Sequence, residues 1–156
     1  MKLVHLAYRV AQRARRIYWR IAKPTVHGVK VIVLGDDDHV LLVRHSYQSS
    51  DMFMLPGGGR NRHEDAMQAG AREVREETGC ELRDIRLHGH FISTAEGAQN
   101  HITVLIGRTD GPATVDGREI LEASFLPIHQ LPANISPSTL RRLIEVRDGL
   151  PPADSW

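Results

Sequence analysis

The stretch that decides the reading of this chain is "GGRNRHEDAMQAGAREVREETGC", residues 58–80. Its second half reads as a helix over residues 64–78, and that helix crowds Glu73, Glu76 and Glu77 together. At about 100° per residue the three carboxylates share one face roughly 100° wide. Like charges at i,i+4 cost an isolated helix a few tenths of a kcal/mol per pair. A compensating cation would remove that cost. Met67, Gly70, Ala71, Val74 and Thr78 form the opposite stripe, expected to pack on a sheet. Arg72 lies one turn before Glu76 and beside Glu73, placed to orient both. Upstream, Gly57, Gly58 and Gly59 give a loop whose backbone can approach a ligand closely and turn its carbonyls to a cation. Carboxylates on a rigid element beside such a loop suit a hard divalent ion, which bridges carboxylates to substrate phosphates.

Working outward, "VHGVKVIVLG" (26–35) and "HVLLVRHS" (39–46) are β-branched apolar runs separated by three aspartates, the pattern of a strand pair. "ELRDIRLHGHFIS" (81–93), "HITVLIGR" (101–108) and "EILEASFLPIHQLP" (119–132) predict further strands, the last with a turn behind it. "SPSTLRRLIEVRD" (136–148) predicts a final helix with Ser136 as N-cap and Pro137 at its first position. Strands and helices mix without regular βαβ repeats, which points to an α+β or mixed-sheet domain. The division expected is a basic amphipathic helix in 1–23, one domain over 26–150 and a flexible tail at 151–156.

The chain has 156 residues, 41% hydrophobic and 25% charged, enough for one domain with a true core. A single cysteine excludes an intrachain disulfide and fits a reducing compartment, so a cytoplasmic location is expected. No run approaches the roughly 20 apolar residues that span a bilayer. The net charge of +1 conceals an asymmetry. Residues 1–23 carry seven lysines and arginines and no acid, which leaves −6 on the remainder. Apolar residues recur through 3–22 at helical steps, and Pro24 closes the run. An amphipathic helix packed on its own domain or on a second subunit is the plain reading. Peripheral attachment to anionic lipid through residues 1–23, a nucleic-acid or RNA-end contact, and a mitochondrial targeting segment, against which the lack of serine argues, are the alternatives. No DNA binding is expected. "HGH" at 88–90 puts two histidines on one strand face, but no third ligand stands in register for zinc.

At residues 58–80 the sequence resembles the Nudix box: glycine, five residues, glutamate, seven residues, then Arg-Glu-aliphatic-any-Glu-Glu-any-Gly-aliphatic. Gly58, Glu64, Arg72, Glu73, Glu76, Glu77 and Gly79 fill every fixed polar position, and Val74 fills the first aliphatic one. A chance match in one such chain is on the order of 10⁻⁷. His63 stands where many members carry glycine, and Cys80 fills the last aliphatic slot as a small hydrophobe. The resemblance extends over roughly 26–150 through "LLVRHSY", "MLPGGG" and "EILEASFLPIHQLP".

The resemblance implies an α/β/α sandwich with a mixed sheet. It also implies hydrolysis of a pyrophosphate bond in a nucleoside diphosphate or triphosphate substrate, with Mg²⁺ or Mn²⁺. Carried onto this chain, Glu73, Glu76, Glu77 and the Gly58 carbonyl would hold metal, and Glu64 and Arg72 would brace them. The general base varies across the family: Glu73 is one candidate, and Glu119, Glu122 and Glu96 compete outside the box, with Glu119 preferred. Arg44, His45 and Tyr47 are candidates for substrate contact. Homodimers are common among relatives. The alternative is a catalytically inactive Nudix fold that binds nucleotide or regulates. The marks of ADP-ribose, dinucleoside polyphosphate and coenzyme A subfamilies are absent. Damaged nucleoside triphosphates, nucleotide sugars or alcohols, and RNA 5′ ends stay open.

Overall fold

A computed structural model describes residues 25–46, 51–94, 99–115 and 117–156, with positions 10, 11 and 14 besides. The expected N-terminal helix, and with it the membrane contact, therefore lies outside the described residues apart from those three positions. The elements are β1 (Thr25–Leu34), β2 (His39–His45), α1 (Ala66–Thr78), β3 (Arg83–Ser93), β4 (Gln99–Arg108), β5 (Ile120–Pro127) and α2 (Pro137–Asp148). The strands form one five-stranded sheet in the order β3-β4-β1-β2-β5. β1 and β4 run parallel from Thr25↔Gln99 to Leu34↔Arg108, and every other pairing is antiparallel. The sheet is mixed.

Strand alternation sends the apolar residues to two faces. Val29, Val31, Val33, Leu41 and Leu105 pack against Ala69 and Val74 of α1. Ile32, Val40, Leu42, Val104 and Ile106 pack against Leu143 of α2 on the other side. Among the described residues one helix covers each face, giving the α/β/α sandwich. Gly70 lets α1 sit this close: a Cβ there would lie 2.7 Å from Leu105 Cδ1. Met67 departs from the expected packing stripe. It is 46% exposed, and the buried position near the start of the helix is Ala69. Asp65 caps α1 in a reciprocal box with Gln68, and Gly79 ends it in the left-handed conformation at φ 70°. α2 begins with Ser136 as N-cap and Pro137 in its first turn, as its sequence predicts.

The β1–β2 hairpin turns through Asp37 and Asp38, both at positive φ (50° and 57°), the backbone hand that two-residue hairpins favour. The two strands pair only at Val33↔Leu41 and Leu34↔Val40 and then part. Residues 53–59 fill the gap in the plane of the sheet. Val43 and Met54 exchange two backbone hydrogen bonds of 2.9 Å, while the N–H groups of Val31 and Val29 donate to the carbonyls of Pro56 (3.0 Å) and Gly58 (2.9 Å). The glycine loop is thus placed by strand pairing.

The last residues, where a flexible tail is expected, contact the domain. Trp156 packs on the core beside Phe91, with ring centroids 5.7 Å apart. Arg142, fully buried, lies 4.0 Å over the Phe91 ring and donates to the Ser155 carbonyl (3.1 Å) and to Glu145 (2.6 Å). Polar residues in "PPADSW" suggest a frayed end, but backbone capture by Arg142 and Glu145 offsets the ordering cost.

Candidate active site

α1 presents its carboxylates toward the glycine loop, and Arg72 organises them. Its guanidinium grips Glu64 with two hydrogen bonds, Nε to Oε2 at 3.1 Å and Nη2 to Oε1 at 2.7 Å. Nη1 donates to Glu73 at 2.8 Å and to Glu76 at 3.1 Å, and Nη2 also reaches the Gly59 carbonyl at 2.9 Å. The Asn61 N–H donates to Glu64 at 2.7 Å. Bidentate, charge-assisted bonds of this kind fix geometry as well as energy. The Arg72 hydrogen bond, followed by that of Asn61, holds the Glu64 carboxyl below its ordinary range. Arg72 is in turn held firmly protonated, first by its bond to Glu64.

Glu77 stands apart from that hub. It is 9% exposed, and its Oε2 accepts from the Gly57 N–H at 2.8 Å. Burial pushes its pKa up to about 7, with the negative charges of Glu73 and Glu119 adding to the rise and Lys30 and the Gly57 N–H opposing it. His45 Nε2 is 3.9 Å away, but burial and the nearby Lys30 charge lower that imidazole to about 3. The pair is therefore not an ion pair: His45 is neutral at pH 7. A Cβ at Gly58 would meet the Glu73 carboxylate at 2.6–2.8 Å, so a side chain there would displace that carboxylate.

Of the residues expected from sequence, Glu64, Arg72, Glu73 and Glu76 meet at one guanidinium, and Glu77 joins through the loop. The Gly58 carbonyl is engaged by the Val29 N–H. Glu119 precedes β5 and lies within electrostatic reach of Glu77. Glu122 is tied to Arg44, whose Nε donates to it at 2.9 Å, and Arg44 also pairs with Asp51. Tyr47 and Glu96 lie outside the described residues. The two histidines of "HGH" part company: His88 bonds Glu145 at 2.8 Å, and His90 contacts the Thr103 hydroxyl at 3.2 Å. Among the described residues no three His, Cys, Asp or Glu side chains converge into a metal-holding group. The reason is visible: Arg72 draws Glu73 and Glu76 to itself while Glu77 turns to Gly57. Lys30 was not anticipated. Its ammonium donates to the carbonyls of Leu55 and Gly57, both at 3.0 Å. A lysine inside the apolar run "VKVIVL" is the signal that marks it.

A family model for the NUDIX domain matches residues 24–145. The chain belongs to the Nudix family. Its curated relatives include the NAD-capped RNA hydrolase NudC of Escherichia coli K12, 29% identical over 126 residues that cover 78% of this chain and 48% of that protein. The chain thus spans about half the length of the curated relatives it matches. Among solved structures, the MutT NUDIX hydrolase of Burkholderia pseudomallei superposes with a TM-score of 0.68 at 22% identity, over 78% of this chain and 98% of that one. A MutT protein from Methanosarcina mazei Go1 gives 0.66 at 24% identity, over 81% and 95%. These structures share the Nudix fold described above. Within the described residues no helix is long and apolar enough to cross a membrane.

Proposed function

We propose that this Nudix protein hydrolyses a pyrophosphate bond in a nucleotide-type substrate with the help of Mg²⁺ or Mn²⁺. One observation carries the reading: an excess of negative charge built around the glycine loop. Among the described residues Glu64, Glu73 and Glu76 share the Arg72 guanidinium, and Glu77, raised to about 7 chiefly by burial, has Lys30 as its neighbouring cation. Carboxylates outnumbering their cations on one helix face offer the hard oxygen donors that fit a divalent ion. Glu73, Glu76 and Glu77 would hold it with a glycine-loop carbonyl, that of Gly57 rather than the expected Gly58, whose oxygen is turned to the Val29 N–H, and Glu64 and Arg72 would keep the group in place.

When bound, such an ion supplies positive charge to the pyrophosphate oxygens and acidifies water. The chain's own residues do the rest. Arg72 would orient Glu73 and Glu76 while its two bonds to Glu64 brace the loop against α1. Glu119 accepts the proton of the attacking water as its oxygen bonds to phosphorus. The bridging P–O bond breaks, and the leaving phosphate keeps the electron pair. Arg44, near the mouth of β2, is placed to meet the substrate once it exchanges Asp51.

The name of the NudC relatives makes a nucleotide-capped RNA 5′ end one substrate class to test, beside free nucleoside triphosphates and nucleotide sugars. The deciding experiment follows phosphate, pyrophosphate and mononucleotide release from a panel of these with Mg²⁺ and with Mn²⁺, beside Glu77→Gln. Turnover that disappears in the mutant supports the reading. A folded protein silent on every substrate would favour the inactive, nucleotide-binding alternative.

A further inference from the structure

Among the described residues the segment 55–59 pairs with a strand along one side only. Successive carbonyls of an extended strand point to opposite sides, so those of Pro56 and Gly58 face β1 and accept from Val31 and Val29. The Gly59 carbonyl is taken by Arg72. The carbonyls of Leu55 and Gly57 face the other way, where no strand meets them, and Lys30 Nζ fills that side with a 3.0 Å bond to each. The Gly57 N–H points to the same side and donates to Glu77 at 2.8 Å. Neighbouring charges reach the same place: Glu77 feels Lys30, Glu73 and Glu119, and His45 is neutral. A cationic head is therefore bonded to two carbonyl oxygens within electrostatic reach of a buried carboxylate, and carbonyl and carboxylate oxygens are the donors a hard cation takes.

We infer that the Lys30 ammonium is a resident cation of the glycine loop, and that it and an incoming divalent ion compete for the seat formed by the Gly57 carbonyl and Glu77. The inference rests on the metal reading above. In the metal-free protein the ammonium satisfies the Leu55 and Gly57 carbonyls and partly balances Glu77, so the loop is ordered before any ligand arrives. Two like charges a few ångströms apart repel strongly at a half-buried site. Metal loading therefore turns Lys30 away from the loop, and the loop keeps its shape through its bonds to β1. Lys30 is a positioning residue that sets how tightly the site takes metal.

The test measures Mn²⁺ binding to the full chain by the paramagnetic resonance of free Mn²⁺, with thermal unfolding in chelator alongside, for wild type, Lys30→Met and Lys30→Arg. Removing the charge is expected to tighten Mn²⁺ binding by roughly tenfold, while the metal-free protein melts earlier. Lys30→Arg, which keeps the charge, should bind Mn²⁺ no tighter than wild type. Unchanged or weaker binding in Lys30→Met would overturn the competition. A wild type that takes no Mn²⁺ at all would instead sink the metal reading itself. Should Lys30→Met not fold, ¹⁵N-labelled lysine in the wild type gives the same answer. The Lys30 ammonium protons should exchange slowly in chelator and lose that protection on adding Mg²⁺, and protection that persists would refute the idea.

Discussion

Arg72 and Glu64, eight positions apart, are joined by two parallel hydrogen bonds of 2.7 and 3.1 Å. That clamp ties the start of the loop–helix segment to the middle of α1, so the spacing between the first box glutamate and the arginine is a distance constraint. Lysine has one donor head and cannot reproduce the fork. Arg72→Lys is expected to lower kcat/KM by about 10- to 100-fold while leaving the melting temperature within a few degrees. Steady-state kinetics on the best substrate would check this, and near-normal turnover would remove Arg72 from its bracing role.

Glu77 makes the metal-free protein sensitive to pH. A carboxyl raised from 4.5 to about 7 binds more protons folded than unfolded between those values, so stability falls as pH rises across that window. The drop is at most about 3 kcal/mol. Denaturant melts in chelator between pH 4.5 and 7 should show the slope, and Glu77→Gln should flatten it. A wild-type curve already flat there would contradict the raised value.

Two neighbouring glycines should behave differently. Gly57 has φ 136°, and a Cβ there would lie 2.2 Å from the Val29 carbonyl oxygen, so Gly57→Ala is expected to cost more than about 2 kcal/mol and to displace the loop. Gly59 has open space around its Cβ position, and Gly59→Ala should stay within about 0.5 kcal/mol of wild type. Urea melts of the two variants provide the comparison.

At the far end of the molecule, Glu145 accepts from Arg142, His88 and the Ala153 N–H. Burial works to raise its pKa, but these bonds and charges outweigh it and leave the carboxyl below its ordinary value. Its contribution to stability is therefore present above about pH 4.5 and is lost as pH falls below that. Trp156→Ala should cost about 1–3 kcal/mol by uncovering Phe91 and Arg142. A variant as stable as wild type would mean that the tail covers nothing of consequence.

The helices and strands were legible because their signals are local. The β-branched runs, the Ser136–Pro137 start of α2 and the glycine at the end of α1 each act within a turn or two. The box residues were legible through their spacing. What escaped was set by contacts across the fold. Met67 looked apolar enough for the α1 stripe, yet helix rotation over Leu105 and Val31 put Ala69 and Gly70 inward. Lys30 lies 25 and 27 residues before the carbonyls it meets, and no periodicity encodes that meeting. The burial of His45 beside Glu77 is likewise a product of the sheet and has no local signal. The polar composition of the tail gives no sign of its bonds to an arginine and a glutamate on α2.

The brief pairing of β1 with β2 leaves residues 53–59 knitted into the interior of the sheet. Such backbone cannot swing open without unzipping a strand edge, so this loop is a wall of the site and takes no part in admitting ligand. Amide exchange should report it so. The N–H groups of Val29, Val31 and Met54 belong with the slowest protons of the core, and traffic in and out of the site must run through the segments on its rim.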